Sequence, residues 1–170
     1  MNREHTAPGT LPDVDAIRQR PTMFIIGSNG SRGLRELCHE AVGLCLDAAV
    51  RGQASRIDVS LYRDHSFAVQ CDGLAPPAVL PAERTPAKLT SAFTEYRTPA
   101  GTANSVRRQH LLIWHGLLPV SNALSEWFEL SVWEAGKPLQ LRFHRGYPVE
   151  PEPGFAEPPP AANATRFRWQ

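Results

Sequence analysis

Apolar residues recur at three- and four-residue steps through Leu34, Leu37, Cys38, Ala41, Cys45 and Ala48. That spacing predicts an α-helix over residues 34–49 with one buried face. Ser31 and Gly33 stand where such a helix starts, and Gly52, preceded by Arg51, where it ends. Two residues fit a plain structural helix badly. Gly43 falls mid-helix, at a cost of about 1 kcal/mol against alanine. Glu40 follows His39 inside a mostly apolar run, and a carboxylate there is either solvated on an outer face or placed for chemistry.

Elsewhere the period is two. Arg56–Tyr62 alternates and reads as a strand with one buried face; Phe67–Cys71 is its hairpin partner across Arg63–Ser66. Trp127–Trp133 and Leu139–Phe143 predict a second hairpin, and Thr165–Trp169 a last strand. Asp13 opens a short helix through Arg20 that Pro21 stops, residues 87–93 suit a helical piece, and Pro119 fits a first helical turn running to Leu124. The expected architecture is an α+β two-layer sandwich, an antiparallel or mixed sheet with helices on one face. It forms a single domain over residues 1–170, with an extended arm at 1–12, a lid-like loop at 94–109 and a proline-rich loop at 148–162.

Composition narrows the function classes. Lys and Arg total 18 against 17 Asp and Glu, so no basic field points to nucleic acid. No apolar run approaches a membrane span, and no apolar stretch follows Met1–His5 as a leader would require. Cys38, Cys45 and Cys71 are odd in number and lack C-x-x-C spacing. They read as reduced thiols of a cytoplasmic protein, with neither a disulfide framework nor a metal site expected.

Several segments in order resemble the N-terminal ATPase domain of DNA gyrase B and its topoisomerase IV counterpart, of the GHKL superfamily shared with histidine kinases, a heat-shock chaperone and mismatch-repair proteins. They are Val14–Ile25, Gly33-Leu34, His39–Val42, Arg56–Val59, Ser121–Ser125, Trp127–Leu130, Val132-Trp133, Gly136-Lys137 and Arg145–Val149. The resemblance implies a specific set of groups. A helix Glu activates water and an Asn one turn later holds Mg²⁺. The Asp opening a D-x-G-x-G segment takes the adenine amino group, a glycine-rich G-L-H-G-x-G segment wraps the phosphates, and a Thr on a late strand supports the adenine-bound water.

This chain departs from that set. Glu40 stands at the base position, but the Asn position is Leu44 and the adenine Asp position is Cys71. Gly73 is kept, whereas the second glycine is Ala75. Asp72 is adjacent to Cys71 but points to the opposite face of a strand. Only His115-Gly116 remains of the phosphate-wrapping segment, and Thr165 matches the late Thr. A family ion pair between the helix and D-x-G-x-G becomes Ala48 and Leu74, so both partners are lost together. An amino-to-carboxylate bond is worth about 1.5–3 kcal/mol, or about one to two decades of affinity. Loss of the Mg²⁺ ligand compounds it, because charge neutralisation and positioning dominate phosphoryl transfer.

The resulting expectation is a non-catalytic gyrase-B-like domain, with no cofactor and Glu40 as a relic base of raised pKa. Its remodelled apolar pocket is lined by Glu40, Leu44, Cys45, Cys71, Gly73, Leu74, Ala75 and Thr165. Such a protein is expected to bind a protein partner, gyrase, topoisomerase IV or another regulator, through the former lid, with Arg107 and Trp114 at the contact. No membrane and no direct nucleic-acid binding are expected, and ATP is not expected to drive dimerisation, because no Tyr precedes Tyr62 in the arm. Two alternatives stand beside this: a weak or altered ATPase retaining Glu40 as base, and small-molecule binding in the apolar pocket.

Overall fold

In the computed structural model, residues 13–25, 30–73, 85–95, 118–150 and 161–170 are described. The central helix, α2, runs from Ser31 to Val50 with Gly30 as its N-cap. Gly52, at φ +71°, closes it in the left-handed conformation glycine favours. Its buried face is Gly33, Leu37, Glu40, Ala41, Leu44, Cys45 and Ala48. Two expectations are corrected here. Leu34 is 59% exposed and lies off the core face, because the stripe runs back from Leu37 to Gly33, four residues earlier. Gly33 sits inside the helix as part of that stripe, so it does not start it.

Six strands form one antiparallel sheet in the order β1-β2-β6-β3-β4-β5. They are β1 Ile57–Leu61, β2 Phe67–Cys71, β3 Trp127–Glu134, β4 Lys137–His144, β5 Tyr147–Val149 and β6 Ala164–Trp169. Phe67, Val69, Cys71, Phe167, Trp169, Phe128, Leu130, Val132 and Phe143 alternate onto one face and enter a common core. From the helical layer this core takes Ala41, Leu44 and Cys45 of α2 and Leu89 and Phe93 of α3, which spans Pro86–Thr94. Leu118 joins them from α4, which spans Leu118–Leu124. Phe93 anchors the centre, its ring 5.4 Å from Phe128 and 5.9 Å from Phe143. Thr85 starts α3 by accepting the Lys88 amide; Pro86 follows at the first turn, where a missing N–H costs nothing.

A second, smaller core joins Val14 and Ile17 of α1 (Asp13–Gln19) to Ile25, Leu37, Val120 and Ala123. Arg18 locks the two helices by donating to the Ala123 carbonyl. A short 3-10 helix, Pro21–Met23, follows α1.

Two strand expectations are corrected. β1 has no buried residue: Val59 is 54% and Leu61 81% exposed, because β1 is a sheet edge that α2 only partly covers. The proline-rich loop assigned from residue 148 begins later, since Pro148 and Val149 lie in β5 opposite Phe143 and Arg142. Proline is tolerated there because β5 is the outer edge strand.

Candidate functional site

Helix α2 brings Glu40 and Leu44 onto its buried face, one turn apart, and both are fully buried. His39, next to Glu40, is exposed. Leu44 and Cys45 belong to the main core together with Cys71 at the end of β2. The position the resemblance gives to a metal-holding Asn is therefore occupied here by an aliphatic core side chain.

The end of β2 is built around one carbonyl. Cys71 pairs across the sheet with Thr165 of β6. Thr165 Oγ1 donates to the Gly73 oxygen at 3.0 Å, and the Cys71 thiol reaches the same oxygen at 3.4 Å. Cys45, on α2 in the other layer, is buried in the same core as Cys71. Its side-chain interaction with Cys71, followed by burial, pushes the Cys45 thiol up from its ordinary pKa.

Gly73 has a structural reason to be glycine. A Cβ there would lie 2.1 Å from the Gln53 carbonyl oxygen and 2.9 Å from the Ala54 Cβ. The chain leaving β2 passes directly against the connection between α2 and β1. Asp72 reinforces the same junction from the outer side. Its Oδ1 accepts the Ser55 and Arg56 amides at 2.7 and 2.9 Å, and its Oδ2 accepts the Ser55 hydroxyl at 2.5 Å. The Ser55 hydroxyl above all, with these amides, holds the Asp72 carboxyl down at about 2. Asp72 thus aims away from Cys71, as strand alternation requires, and serves a turn clamp.

Asn122 is the polar residue whose role the sequence left unstated. It is fully buried in α4, and its Nδ2 donates to the carbonyls of Phe93 at 2.8 Å and Gly146 at 3.1 Å. One amide therefore ties α3, α4 and the turn between β4 and β5. The segment Ser121–Ser125, which carries part of the resemblance, is the signal that marked it. Its flanking serines are also paired, Ser125 Oγ donating to the Ser121 carbonyl at 2.5 Å. Leu74, Ala75, Arg107, Trp114 and His115-Gly116 lie outside the described residues; of the others, Leu44, Cys45 and Cys71 share the main core, Cys71 and Thr165 meet at the Gly73 carbonyl, and Glu40 lies on the buried face of α2 one turn before Leu44. Among the described residues no group of three or more His, Cys, Asp or Glu side chains is arranged to hold a metal ion, and no helix is long and apolar enough to cross a membrane.

An antiparallel sheet with its helices on one face, a long helix carrying a buried Glu, and a late-strand Thr beside the end of β2 define a GHKL-type domain. Its relatives are DNA gyrase B proteins. The chain is 36% identical to the mitochondrial DNA gyrase B of Arabidopsis thaliana over 143 residues, covering 82% of this chain and 19% of that protein. It is 34% identical to the DNA gyrase B of Thermotoga maritima over 160 residues, covering 93% of this chain and 25% of that protein. The crystal structure of the 43K ATPase domain of Thermus thermophilus gyrase B in complex with an aminocoumarin superposes with a TM-score of 0.67 at 30% identity, covering 94% of this chain and 39% of that one. No protein-family model matches the chain. The chain is homologous to DNA gyrase B over most of its own length and has the fold of the gyrase B ATPase domain. It spans only 19% and 25% of the length of the Arabidopsis and Thermotoga relatives.

Proposed function

We propose that this chain is a gyrase-B-like ATPase-type domain that no longer binds ATP or Mg²⁺ and works as a regulatory, protein-binding module in the cytoplasm. One observation supports this above the others: Leu44, at the expected metal-ligand position, is a fully buried core residue one turn from Glu40. Mg²⁺ requires oxygen ligands in near-octahedral array, and a leucine offers none. Cys71 supports the reading independently. An adenine amino group needs a strong acceptor, whereas this sulfur is a weak acceptor whose S–H is turned to the Gly73 carbonyl. The retained Gly73 is accounted for by its contact with Gln53 and does not by itself argue for a nucleotide.

Titration calorimetry with ATP and Mg²⁺ tests the loss of binding: no saturable heat is expected at millimolar nucleotide. A saturable isotherm abolished by Cys71→Arg would overturn the proposal and favour the second reading, a weak or altered ATPase. The burial of Glu40 at the base position and the retained Thr165 hydroxyl are what favour that alternative. For the binding role, the relatives are gyrase B proteins, so gyrase and topoisomerase subunits are the first partners to test. Arg107 and Trp114 carry the proposed contact. Substituting both is expected to weaken capture of such a partner while leaving the unfolding temperature unchanged; unchanged capture would rule out that contact.

A further inference from the structure

We propose that this chain pairs with a second copy of itself through strand β1, whose open edge joins the same edge of the other copy and continues the sheet across a two-fold axis. The two edges of the sheet differ in kind. β5 is three residues long and contains Pro148, which has no N–H to offer. Short length and proline are devices by which edge strands avoid pairing. β1 has neither. Ile57–Leu61 contains no proline, Lys or Arg, and its register with β2 runs without a bulge. None of its residues has a positive φ. Among the described strands it pairs only with β2.

The backbone bonds show which groups face the open edge. The Tyr62 amide donates to the Ser66 carbonyl at 2.9 Å, and the Arg56 carbonyl accepts the Asp72 amide at 3.2 Å. Along an antiparallel strand such residues alternate, so Arg56, Asp58, Ser60 and Tyr62 turn their backbone groups to β2. Ile57, Val59 and Leu61 turn theirs outward. Their side chains lie on the helix-side face, beside their partners Cys71, Val69 and Phe67 of the main core. Yet Val59 is 54% and Leu61 81% exposed, so the open backbone and an uncovered apolar surface belong to the same residues.

A two-fold contact needs a self-complementary surface, and the order apolar, polar, apolar, polar, apolar over residues 57–61 supplies one. Centred on Val59, the antiparallel register sets Val59 against its own copy and Ile57 against Leu61 of the second copy. Each open residue then meets an open residue, each pair exchanges two backbone bonds, and apolar side chains oppose apolar ones. A shift of two residues either way leaves Leu61 facing Ser55 or Ile57 facing Arg63. On the outer face Asp58 meets Ser60 and Arg56 meets Tyr62, so no like charges stand directly opposite. The two Asp58 carboxylates come diagonal to each other, but each is held by its own Arg56 at 2.9 Å. The pairing needs no nucleotide and does not depend on the proposed loss of nucleotide binding.

The test uses the intact chain. Analytical ultracentrifugation over a concentration series, without nucleotide, should show the mass rising from 18.8 kDa toward twice that value. Val59→Lys sets two ammonium groups against each other on the axis and should hold the mass at one chain throughout. Val149→Lys, on the other edge of the sheet, is the control and should associate as the parent does. Cross-linking reads the register. Under mild oxidation Val59→Cys should join two copies of the tryptic peptide 57–63, because the Cα atoms of a hydrogen-bonded pair lie about 5.5 Å apart, within disulfide reach of about 4.4–6.8 Å. Leu61→Cys should not link to its copy, which the register displaces by more than about 13 Å. A single-chain mass at every concentration, association that Val59→Lys leaves intact, or equal linking at 59 and 61 would each overturn the proposal. Should the lysine variant unfold, the parent's mass and the two cysteine variants still decide it.

Discussion

Cys71 and Thr165 face each other across strands β2 and β6, and their side chains converge on the carbonyl oxygen of Gly73. This pairing joins the place where the resemblance expects the adenine carboxylate to the place where it expects the supporting hydroxyl. The hydroxyl is present, but its donor proton is spent on the protein's own backbone. A buried carbonyl with two side-chain donors is well satisfied, so the arrangement is stable without a ligand. Local packing thus explains the presence of Thr165 and Gly73 as fully as any inherited chemistry does.

Leu44 separates a core role from a site role. Truncation to alanine removes a fully buried side chain from the main core. The expected cost is about 3–5 kcal/mol, read as a fall in Tm of roughly 6–20 °C. Leu46, two residues on and 51% exposed, should change stability by less than about 1 kcal/mol when substituted in the same way. Chemical denaturation of the two variants beside the parent decides the matter. Near-equal effects would mean that Leu44 faces an open cavity.

Much of the fold was legible because its signals are local. The β3–β4 hairpin shows in the strict alternation of Trp127–Trp133 and Leu139–Phe143, turned by Ala135 and Gly136 at φ +50° and +77°. Helix α2 shows in its three-and-four spacing. What escaped depends on tertiary context. β5 is three residues long and contains Pro148, and only its place at the sheet edge makes that residue acceptable. The exposure of Val59 and Leu61 follows from how far α2 reaches over β1, which alternation alone does not encode. At the site, the helix period put Glu40, Leu44 and Cys45 close together, and strand alternation turned Asp72 away from Cys71. The burial of Cys45 and Cys71 in one core needed the packing of α2 on β2, and the bonds of Asn122 needed three separate segments to converge.

Gly73→Ala is expected to destabilise the domain although alanine is small. The added Cβ would meet backbone atoms of Gln53, which cannot swing aside as a flexible side chain can. The strain should cost about 1–3 kcal/mol. At Gly30 a Cβ would meet nothing within 4 Å, and the φ of −165° is extended, so Gly30→Ala is the matched control and should cost less. Equal unfolding midpoints for the two variants would show that the approach to Gln53 relaxes freely.

Asp72 gives a pH dependence of definite sign. Its carboxyl is held from an ordinary 3.8 down to about 2 by the Ser55 hydroxyl and the amides of Ser55 and Arg56. The folded state therefore binds this proton less readily than the unfolded chain. The clamp's contribution is present above the ordinary carboxylate value and lost as pH falls through about 2. Asp72→Asn should unfold at lower denaturant than the parent at neutral pH, and the gap should close in strong acid. A gap that persists at about pH 2 would show that the charge is not the source of the effect.

Asn122 should prove the most costly polar residue to remove. Its amide nitrogen supplies hydrogen bonds to the buried carbonyls of Phe93 and Gly146. Asn122→Ala leaves both acceptors without that donor, and a lost donor at a buried acceptor costs about 1–3 kcal/mol. The second bond ends on Gly146, at φ +88°, where a Cβ would press to 2.5 Å from Val14. Loosening this turn therefore also loosens α1, so the loss should approach the upper end of that range for each bond. Asn122→Asp retains the shape but sets carboxylate oxygens against two carbonyls, and at neutral pH it should be at least as damaging as alanine. Asn163 is the comparison: it is exposed, its Oδ1 accepts the Ala135 amide at 3.0 Å, and water can replace it. Asn163→Ala should therefore cost under about 1 kcal/mol. Hydrogen exchange adds a spatial readout. The Asn122 variants should lose protection together in α1, α3 and the turn between β4 and β5, while β2 and β6 remain protected. Loss confined to α4 would mean that the amide serves its own helix alone and does not join the segments.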